Sequence, residues 1–333
     1  MKRRAFLAGA GTGALTAVWP AFGQTPHKVY RLGFLAHSAA KGARNRLLAA
    51  LREIGWRDGE NMRFEYAVAG GDAARWDAVA RALVEKGCDL IVVLGSHMAL
   101  PAMRATKTIP LVMMASGFPV EAGIVPSIAH PGGNITGMRF HMDELPGKWM
   151  ELVRELVPGL RVLGDLDDYV PPFSNEAEVE AGYRFMTRSA HTLGFEIRRW
   201  KIRAEADLVH ALAEAEGAGV DAFFATSGAI HSQAHNTARI RDFVMRSRLP
   251  MMCDLVGALF NGGGAIMAYS ATWDEVAERT ATFVDRILKG ARPGDLPIEQ
   301  PTRFSLVLNL KNAKAIGLTI PHALLARTDR AIE

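Results

Sequence analysis

The chain contains the same order of strands and helices twice, with corresponding segments about 130 to 140 residues apart. Each copy begins with a short apolar run that stops at polar residues, and two further apolar runs follow after helical segments. The matching pairs are 31–37 with 161–167, 87–93 with 219–224, and 108–114 with 248–253. Strands that alternate with helices in this way predict parallel sheets covered by helices on both faces. We therefore predict an α/β fold of two Rossmann-like, doubly wound parallel-sheet lobes joined by hinge strands.

The later part of the chain is expected to pass between the two lobes more than once. A strand at 265–269 and a helix that stops at Lys289-Gly290 precede a proline-interrupted connection and a last strand at 304–308. The predicted lobes are 28–141 with about 270–300, and 142–269 with about 301–333. Two such lobes leave a cleft between them, where a protein can enclose a small molecule.

The first residues have the pattern of an export signal. Lys2, Arg3 and Arg4 precede an uncharged stretch from Ala5 to Gly23, which is typical of a secretory signal peptide over residues 1–23. The paired arginines also resemble the twin-arginine signal, and a retained membrane anchor is the alternative. This interpretation places the mature protein in the periplasm.

Composition excludes several classes of partner and cofactor. The net charge is +4, and it becomes +1 once the three leader cations are removed. Lys and Arg residues are dispersed and no basic, aromatic stripe occurs, so nucleic acid is not expected as a partner. The chain has no HExxH, GxSxG or phosphate-loop motif, and we predict no cofactor. The two cysteines, Cys88 and Cys253, fall in different lobes and are expected to be buried free thiols.

Candidate ligand-binding residues follow from topology. In open parallel sheets, ligands bind beyond the carboxyl ends of the strands, where loops lead into helices. The residues at these positions in the first lobe are His37, Ser38, Gly95, Ser96, His97, Ser116, Gly117 and Phe118. Those in the second lobe are Asp167, Asp168, Tyr169, Thr226, Ser227, Gly228 and Asp254, and Tyr269 in the strand at 265–269 is a further candidate. Free N–H groups where Gly95-Ser96-His97 opens a helix would suit a carboxylate, although Ser96 is expected to cap that helix in any case.

Two other sites are possible on the residues alone. His97 is a candidate base, with Asp168 as its partner across the cleft, but no nucleophile motif accompanies it. His231 and His235 have the i, i+4 spacing of metal ligands. No third ligand is evident nearby, and a solvated helix face is the alternative for this pair.

Three stretches carry a resemblance to a known family. They are 117–137, 145–159 and 296–321, of which the last is the most specific. On these residues the chain resembles the ABC-transporter substrate-binding proteins of the tryptophan/tyrosine-binding type, which have the type I periplasmic binding fold. The similarity covers nearly the whole mature chain.

The resemblance implies an exported, monomeric receptor that delivers an amino acid or similar small carboxylate to a membrane permease. It implies that the loops at Gly95–His97 and Ser116-Gly117 hold the ligand, and that second-lobe loops complete the pocket. Phe118 stands where the family usually has Asp, and the segments at Asp254 and Tyr269 also depart from its pattern. Phe118 would add an apolar wall, which favours a ligand with an apolar or aromatic tail. A ligand-sensing subunit of a signalling system and a cleft enzyme that uses His97 and Asp168 are the alternatives.

Overall fold

The computed structural model describes residues 28–37, 40–70, 73–140, 145–169 and 176–333. Its first lobe is built on a five-stranded parallel sheet of order β2-β1-β3-β4-β5. The strands are β1 (Tyr30–Ala36), β2 (Met62–Val68), β3 (Leu90–Leu94), β4 (Leu111–Ser116) and β5 (Ile135–Arg139). The helices between them are α1 (Lys41–Glu53), α2 (Trp76–Glu85) and α3 (Ser96–Ala105). The predicted leader, residues 1–23, lies outside the described residues, and no helix within them has the length and hydropathy to cross a bilayer.

The second lobe is built on a seven-stranded sheet of order β12-β11-β10-β9-β8-β6-β7. Its strands are β6 (Val162–Asp168), β7 (Glu196–Ile202), β8 (Ala222–Ala225), β9 (Met251–Cys253), β10 (Met267–Ala271), β11 (Phe304–Asn309) and β12 (Arg330–Ile332). Its helices are α4 (Leu145–Leu156), α5 (Glu176–Thr192), α6 (Glu205–Gly217), α7 (Ala234–Ser247), α8 (Ala258–Gly262), α10 (Leu310–Ala315) and α11 (His322–Leu325). Helix α9 (Trp273–Leu288) packs in the core of the first lobe. The pairing of β10 with β11 is antiparallel.

The two sheets repeat one topology. Strands β6 to β10 follow the order 2-1-3-4-5 that β1 to β5 also follow, and every pairing within these two sets is parallel. The predicted fold of two doubly wound α/β lobes is therefore confirmed. The predicted residue boundaries of the lobes stay a prediction.

Each sheet buries both of its faces, as runs without polar alternation predict. In the first lobe Phe34 and Val92 pack under α1 and α9, while Ile91 and Val93 pack under α2 and α3. Alternate residues of one strand thus enter different cores. Both cysteines lie in these cores as free thiols, one in each lobe, as predicted.

The chain crosses between the lobes on either side of α9. It leaves the second sheet at Ala271, and α9 packs against α1 of the first lobe before the chain returns at β11. The buried carboxylate of Glu275 joins the outgoing and returning segments. It accepts hydrogen bonds from the backbone N–H groups of Thr302 (3.0 Å) and Arg303 (2.7 Å) and from the Thr302 hydroxyl (2.7 Å). The Thr272 N–H donates to the Arg303 carbonyl at 3.0 Å, so the two crossings are held side by side.

A close backbone approach shapes the first-lobe edge of the cleft. Gly137 of β5 has φ +135°, and a Cβ there would collide with the backbone of Met113 in β4. The β4–β5 register shifts between Met113 and Ser116, and Ala115 takes the left-handed conformation with φ +60°. This bulge turns the end of β4 and directs Gly117 and Phe118 into the space between the lobes.

Candidate ligand-binding site

A cavity of about 880 Å³ lies between the lobes, and both contribute its walls. The first lobe and α9 supply His37, Gly95, Ser96, His97, Ala115, Gly117, Phe118, Phe140 and Trp273. The second lobe supplies Pro146, Trp149, Asp165, Asp167, Asp168, Glu178, Val179, Gly182, Tyr183, Met186, Arg199, Thr226, Ser227, Gly228, Ala229, Ile230, Ser232, Gln233, Asp254 and Leu255. Its volume is within the range of sites that bury small organic molecules.

The structure brings most of the sequence-predicted residues to this cavity. Those that line it are His37, Gly95, Ser96, His97, Gly117, Phe118, Asp167, Asp168, Thr226, Ser227, Gly228 and Asp254. Ser116 is buried behind the wall, and its hydroxyl hydrogen-bonds that of Ser96 at 2.8 Å. Tyr169 and Tyr269 do not line the cavity: the Tyr169 ring lies against Lys201 and Arg203, and Tyr269 stacks on Phe304. Ser38 lies outside the described residues.

Ser96 does not cap α3, contrary to the sequence-based expectation. The cap residue is Gly95, with φ +78°, and α3 has no side-chain cap. The Ser96 hydroxyl instead accepts the Gly117 N–H at 3.1 Å and donates to the Glu178 carboxylate at 2.8 Å. Its role is to join the two first-lobe loops and the facing lobe.

Helix α5 of the second lobe rests on the loop of the first lobe at Phe118. Glu178, Gly182 and Phe185 follow one another at helical spacing, and all three approach that loop. Glu178 Oε1 accepts the Phe118 N–H at 2.6 Å, while the rings of Phe118 and Phe185 stack with centroids 6.2 Å apart. Burial raises the pKa of Glu178, and the hydrogen bond from Ser96 opposes this. Glu178 therefore occupies the Ser96 hydroxyl and the Phe118 N–H, which belong to the first-lobe loops expected to hold the ligand.

The strand ends of the second lobe hold two buried carboxyl groups. Asp168 Oδ2 accepts the N–H groups of Ile230 (2.9 Å) and His231 (2.7 Å). Burial raises the Asp168 pKa to about 7, although these hydrogen bonds oppose the shift. Asp254 accepts the Ser227 N–H at 2.9 Å, and burial raises its pKa to about 6.

A further part of the cavity extends between the second sheet and the helices α4 and α5. Asp165 and Asp167 lie two residues apart on β6 and share the face that these helices cover. Arg199 of β7 donates to Asp167 Oδ2 from Nε (2.9 Å) and Nη2 (2.6 Å) and to Glu180 at 2.8 Å. Asp165 is only 2% exposed, and burial together with Asp167 raises its pKa. We call this part, walled by Trp149, Tyr183, Met186 and the two aspartates, the deep chamber.

The model of the family described as ABC transporter substrate binding protein matches residues 28–332 of this chain. The chain belongs to that family. A tyrosine-binding protein of Clostridioides difficile (strain R20291) is 22% identical over 282 residues, which cover 85% of this chain and 78% of the relative. The family resemblance of this chain, which residues 117–137, 145–159 and 296–321 carry, is therefore confirmed.

Solved structures show the same architecture. A conserved domain protein of Vibrio cholerae matches with a TM-score of 0.81 at 27% identity, covering 91% of this chain and 100% of that one. The ABC domain of Streptococcus pneumoniae in complex with L-Trp matches with a TM-score of 0.80 at 22% identity, covering 91% and 99%. The fold is that of the type I periplasmic binding proteins. The family consists of ligand-binding transport proteins and is not a family of enzymes.

The histidines considered for catalysis form a neutral pair. His97 Nε2 and His37 Nδ1 are 2.7 Å apart and share a hydrogen bond within the first lobe. Burial, and secondarily His37, lower the His97 pKa to about 3, so this imidazole is uncharged at neutral pH. Asp168 makes its hydrogen bonds with the second-lobe backbone. The geometry is that of a fixed polar wall.

The two histidines considered for a metal diverge. His231 is fully buried in the turn before α7, with Nδ1 2.8 Å from the Thr226 carbonyl, so the expectation of a solvated face is wrong for it. His235 is exposed and contacts Glu205. Over the described ranges, no group of three potential metal ligands occurs.

Glu178, Asp165 and Arg199 are cavity residues that topology did not select. Glu178 reaches the cavity from the first turn of a helix, and its contact depends on how the lobes meet. Asp165 did carry a signal, because it is an acidic residue inside a strand whose neighbours Leu163 and Leu166 are core residues. A mid-strand charge on a covered face indicates a functional group more strongly than a strand-end aspartate does.

The raised pKa of Asp168 predicts a measurable pH dependence of stability. Its value of about 7 exceeds the ordinary 3.8, so the folded state binds this proton more tightly than the unfolded chain. The resulting stabilisation is full below pH 4 and is lost as the pH rises through 7, at up to about 1.4 kcal/mol per pH unit. Neighbouring His231, with its pKa lowered to about 4, is neutral above pH 5.5.

We therefore expect the free energy of unfolding of wild type to fall by about 2 kcal/mol between pH 5.5 and 8, relative to that of Asp168→Asn. Urea unfolding of both proteins across this range measures the difference, and the comparison cancels the titration of the other groups. Parallel profiles for the two proteins would contradict the assignment of a protonated Asp168.

Proposed function

We propose that this protein is an exported solute receptor that captures one small organic molecule between its lobes and delivers it to the permease of an ABC importer. The observation that carries the proposal is the cavity of about 880 Å³ whose walls come from both lobes of a substrate-binding fold. Closing two lobes on a solute removes its apolar surface from water, while a few fixed polar groups orient it. The leader at residues 1–23 supports a periplasmic location through the general or the twin-arginine route, and we propose a monomer.

The walls favour a solute with an aromatic or apolar body. Phe118, Phe140, Trp149, Tyr183 and Trp273 all line the cavity. Aromatic walls offer a large contact area together with ring edges and faces that select planar ligands. Two similar proteins, a tyrosine-binding protein and a domain solved in complex with L-Trp, support a ligand of the size of an aromatic amino acid.

Isothermal titration tests the proposal. Protein refolded after complete removal of bound molecules is titrated with aromatic amino acids, their amine and carboxylate derivatives, sugars and nucleosides. We expect one-to-one binding of at least one member, with a Kd below about 10 µM. Absence of binding across all these classes would contradict a receptor function.

A further inference from the structure

The charges that line the cavity are strongly unbalanced. Five carboxyl groups face one guanidinium among the described lining residues; the acids are Asp165, Asp167, Asp168, Glu178 and Asp254, and the cation is Arg199. Arg199 already pairs with Asp167 and, outside the cavity wall, with Glu180. The two lining histidines, His37 and His97, have pKa values lowered by burial and supply no positive charge at neutral pH. Burial raises the pKa of each of the five carboxyl groups. A bound cation favours their ionised forms and a bound anion opposes them, so the site favours cations over anions.

Two first-lobe donors that face the cavity are used by the protein itself. Glu178 Oε1 accepts the Ser96 hydroxyl at 2.8 Å and the Phe118 N–H at 2.6 Å. The room at this point is small, because a Cβ added to Gly117 would collide with the Glu178 carboxyl group. A ligand carboxylate would have to displace Glu178 or lie beside it. Displacing Glu178 removes its hydrogen bonds, and a position beside it brings two carboxyl groups together in a buried site. Both are unfavourable.

Two aspartate oxygens in the cavity wall lack the partners that buried polar atoms require. Oδ1 of Asp165 and Oδ1 of Asp168 accept no hydrogen bond from any described residue. Their side chains are almost fully buried, with residue exposures of 2% and 5%, and both residues line the cavity. A buried acceptor without a donor is unfavourable, so each of these atoms is a position at which a ligand donor would be stabilised.

The surroundings of Asp165 match one chemical group in particular. Asp165 shares the deep chamber with the aromatic residues Trp149 and Tyr183. An ammonium group can donate to a carboxylate and at the same time lie against aromatic faces. The Arg199 guanidinium, which lies 4.0 Å from the Tyr183 ring centroid, shows that this chamber already accommodates a cation against an aromatic ring.

We propose that the ligand is a protonated amine with an aromatic or apolar body, that its ammonium group pairs with Asp165 in the deep chamber, and that Glu178 excludes carboxylates from the first-lobe donors. This inference rests on the proposed receptor function. It differs from the amino acid or similar small carboxylate that the sequence suggested, because the proposed solute carries an ammonium group and no carboxylate. Asp254, whose pKa burial raises only to about 6, adds negative potential around the amine at neutral pH.

Matched probes of different charge test the proposal on one molecular body. On a hydroxyphenyl body they are 4-(2-aminoethyl)phenol, neutral 4-(2-hydroxyethyl)phenol and 3-(4-hydroxyphenyl)propionate, and equivalent triads are made on phenyl, indolyl and cyclohexyl bodies. We expect the amine of the best-bound body to bind about 100-fold more tightly than its carboxylate. A carboxylate or neutral probe that binds as tightly as its amine overturns the proposal and leaves the receptor function intact. Absence of binding by every triad and by the amino acids, sugars and nucleosides of the wider panel overturns both.

Two substitutions locate the charge recognition. Asp165→Asn is expected to weaken amine binding about 30-fold while it leaves the neutral probe nearly unchanged. Asp242→Asn, on the exposed face of α7, is the matched control and should change neither. Glu178→Ala frees the Ser96 and Phe118 donors, so the affinity for the carboxylate probe should rise about tenfold. Equal losses for amine and neutral probes in Asp165→Asn, or no gain in Glu178→Ala, would overturn the assigned roles.

Discussion

Replacing Gly182 with Phe is expected to abolish solute binding and to leave the protein folded. Gly182 lies within α5, where glycine weakens a helix, and it lines the cavity. Its nearest potential neighbour is the Phe118 ring, 3.5 Å from the position of an added Cβ, so a small side chain fits without a clash. A Phe side chain would extend into the space that the solute occupies. We expect a loss in affinity of about 100-fold or more.

The matched control for this prediction is Gly182→Ala. A single methyl group occupies little of the cavity, and alanine is the better helix former by about 0.5–1 kcal/mol. We therefore expect Gly182→Ala to raise the melting temperature and to keep most of the affinity. Titration calorimetry and thermal unfolding of the three proteins measure both effects. Full binding by Gly182→Phe would show that the solute lies elsewhere.

Removal of the Glu275 carboxylate is expected to destabilise the protein more than any surface substitution. Burial alone would raise the pKa of Glu275, but hydrogen bonds from Thr302 and Arg303 outweigh it and lower the pKa. Glu275→Ala leaves their two N–H groups and one hydroxyl without this acceptor. Hydrogen bonds to a charged acceptor contribute about 1.5–3 kcal/mol each. Because three are removed, we expect the free energy of unfolding to fall by about 3 kcal/mol or more.

Two further variants show whether the Glu275 effect comes from the chain crossings. Glu275→Gln retains an acceptor oxygen, so its free energy of unfolding should fall less than that of Glu275→Ala. Glu278→Ala removes an exposed ion pair with the same Arg303 side chain, and its effect should stay below about 1 kcal/mol. Urea unfolding measures all three. A loss for Glu275→Ala no larger than that for Glu278→Ala would contradict the role assigned to these contacts.

Much of the architecture could be predicted because both lobes repeat one local pattern. Uniformly apolar strands such as Leu90–Leu94 are typical of sheets covered on both faces, and alternation with helices fixes their parallel arrangement. The loops after these strands then follow from topology, which is why Gly95, Thr226 and Asp254 could be chosen from the sequence. The strands and these loops could be predicted because they follow from local sequence patterns and from the general connectivity of parallel α/β sheets.

The remaining features depend on contacts between distant segments. Ser96 has the residue type and position of a helix cap, but the Gly117 N–H and the Glu178 carboxylate use its hydroxyl instead. The approach of α5 to Phe118 depends on how the lobes meet, which no local pattern specifies. His231 is similar, because its i, i+4 relation to His235 suggests a shared face until the turn before α7 buries one of them.

The cavity also shows features that reduce stability and serve binding. Gly182 weakens its helix, and Asp165 and Asp168 each hold a buried oxygen that no residue in the described part of the chain hydrogen-bonds. Each feature is unfavourable in the free protein, and each becomes favourable when a solute with a suitable donor fills the space. Their coincidence at one place distinguishes this cavity from a packing defect.

Native mass spectrometry of wild type and Gly182→Phe, each mixed with the same library of small amines, acids and neutral solutes, tests the central claim most directly. The claim is that the space between the lobes encloses one small molecule. We predict that wild type retains a single small molecule per chain and that Gly182→Phe retains none. Capture of the same compounds by both proteins, or of none by wild type, would contradict it.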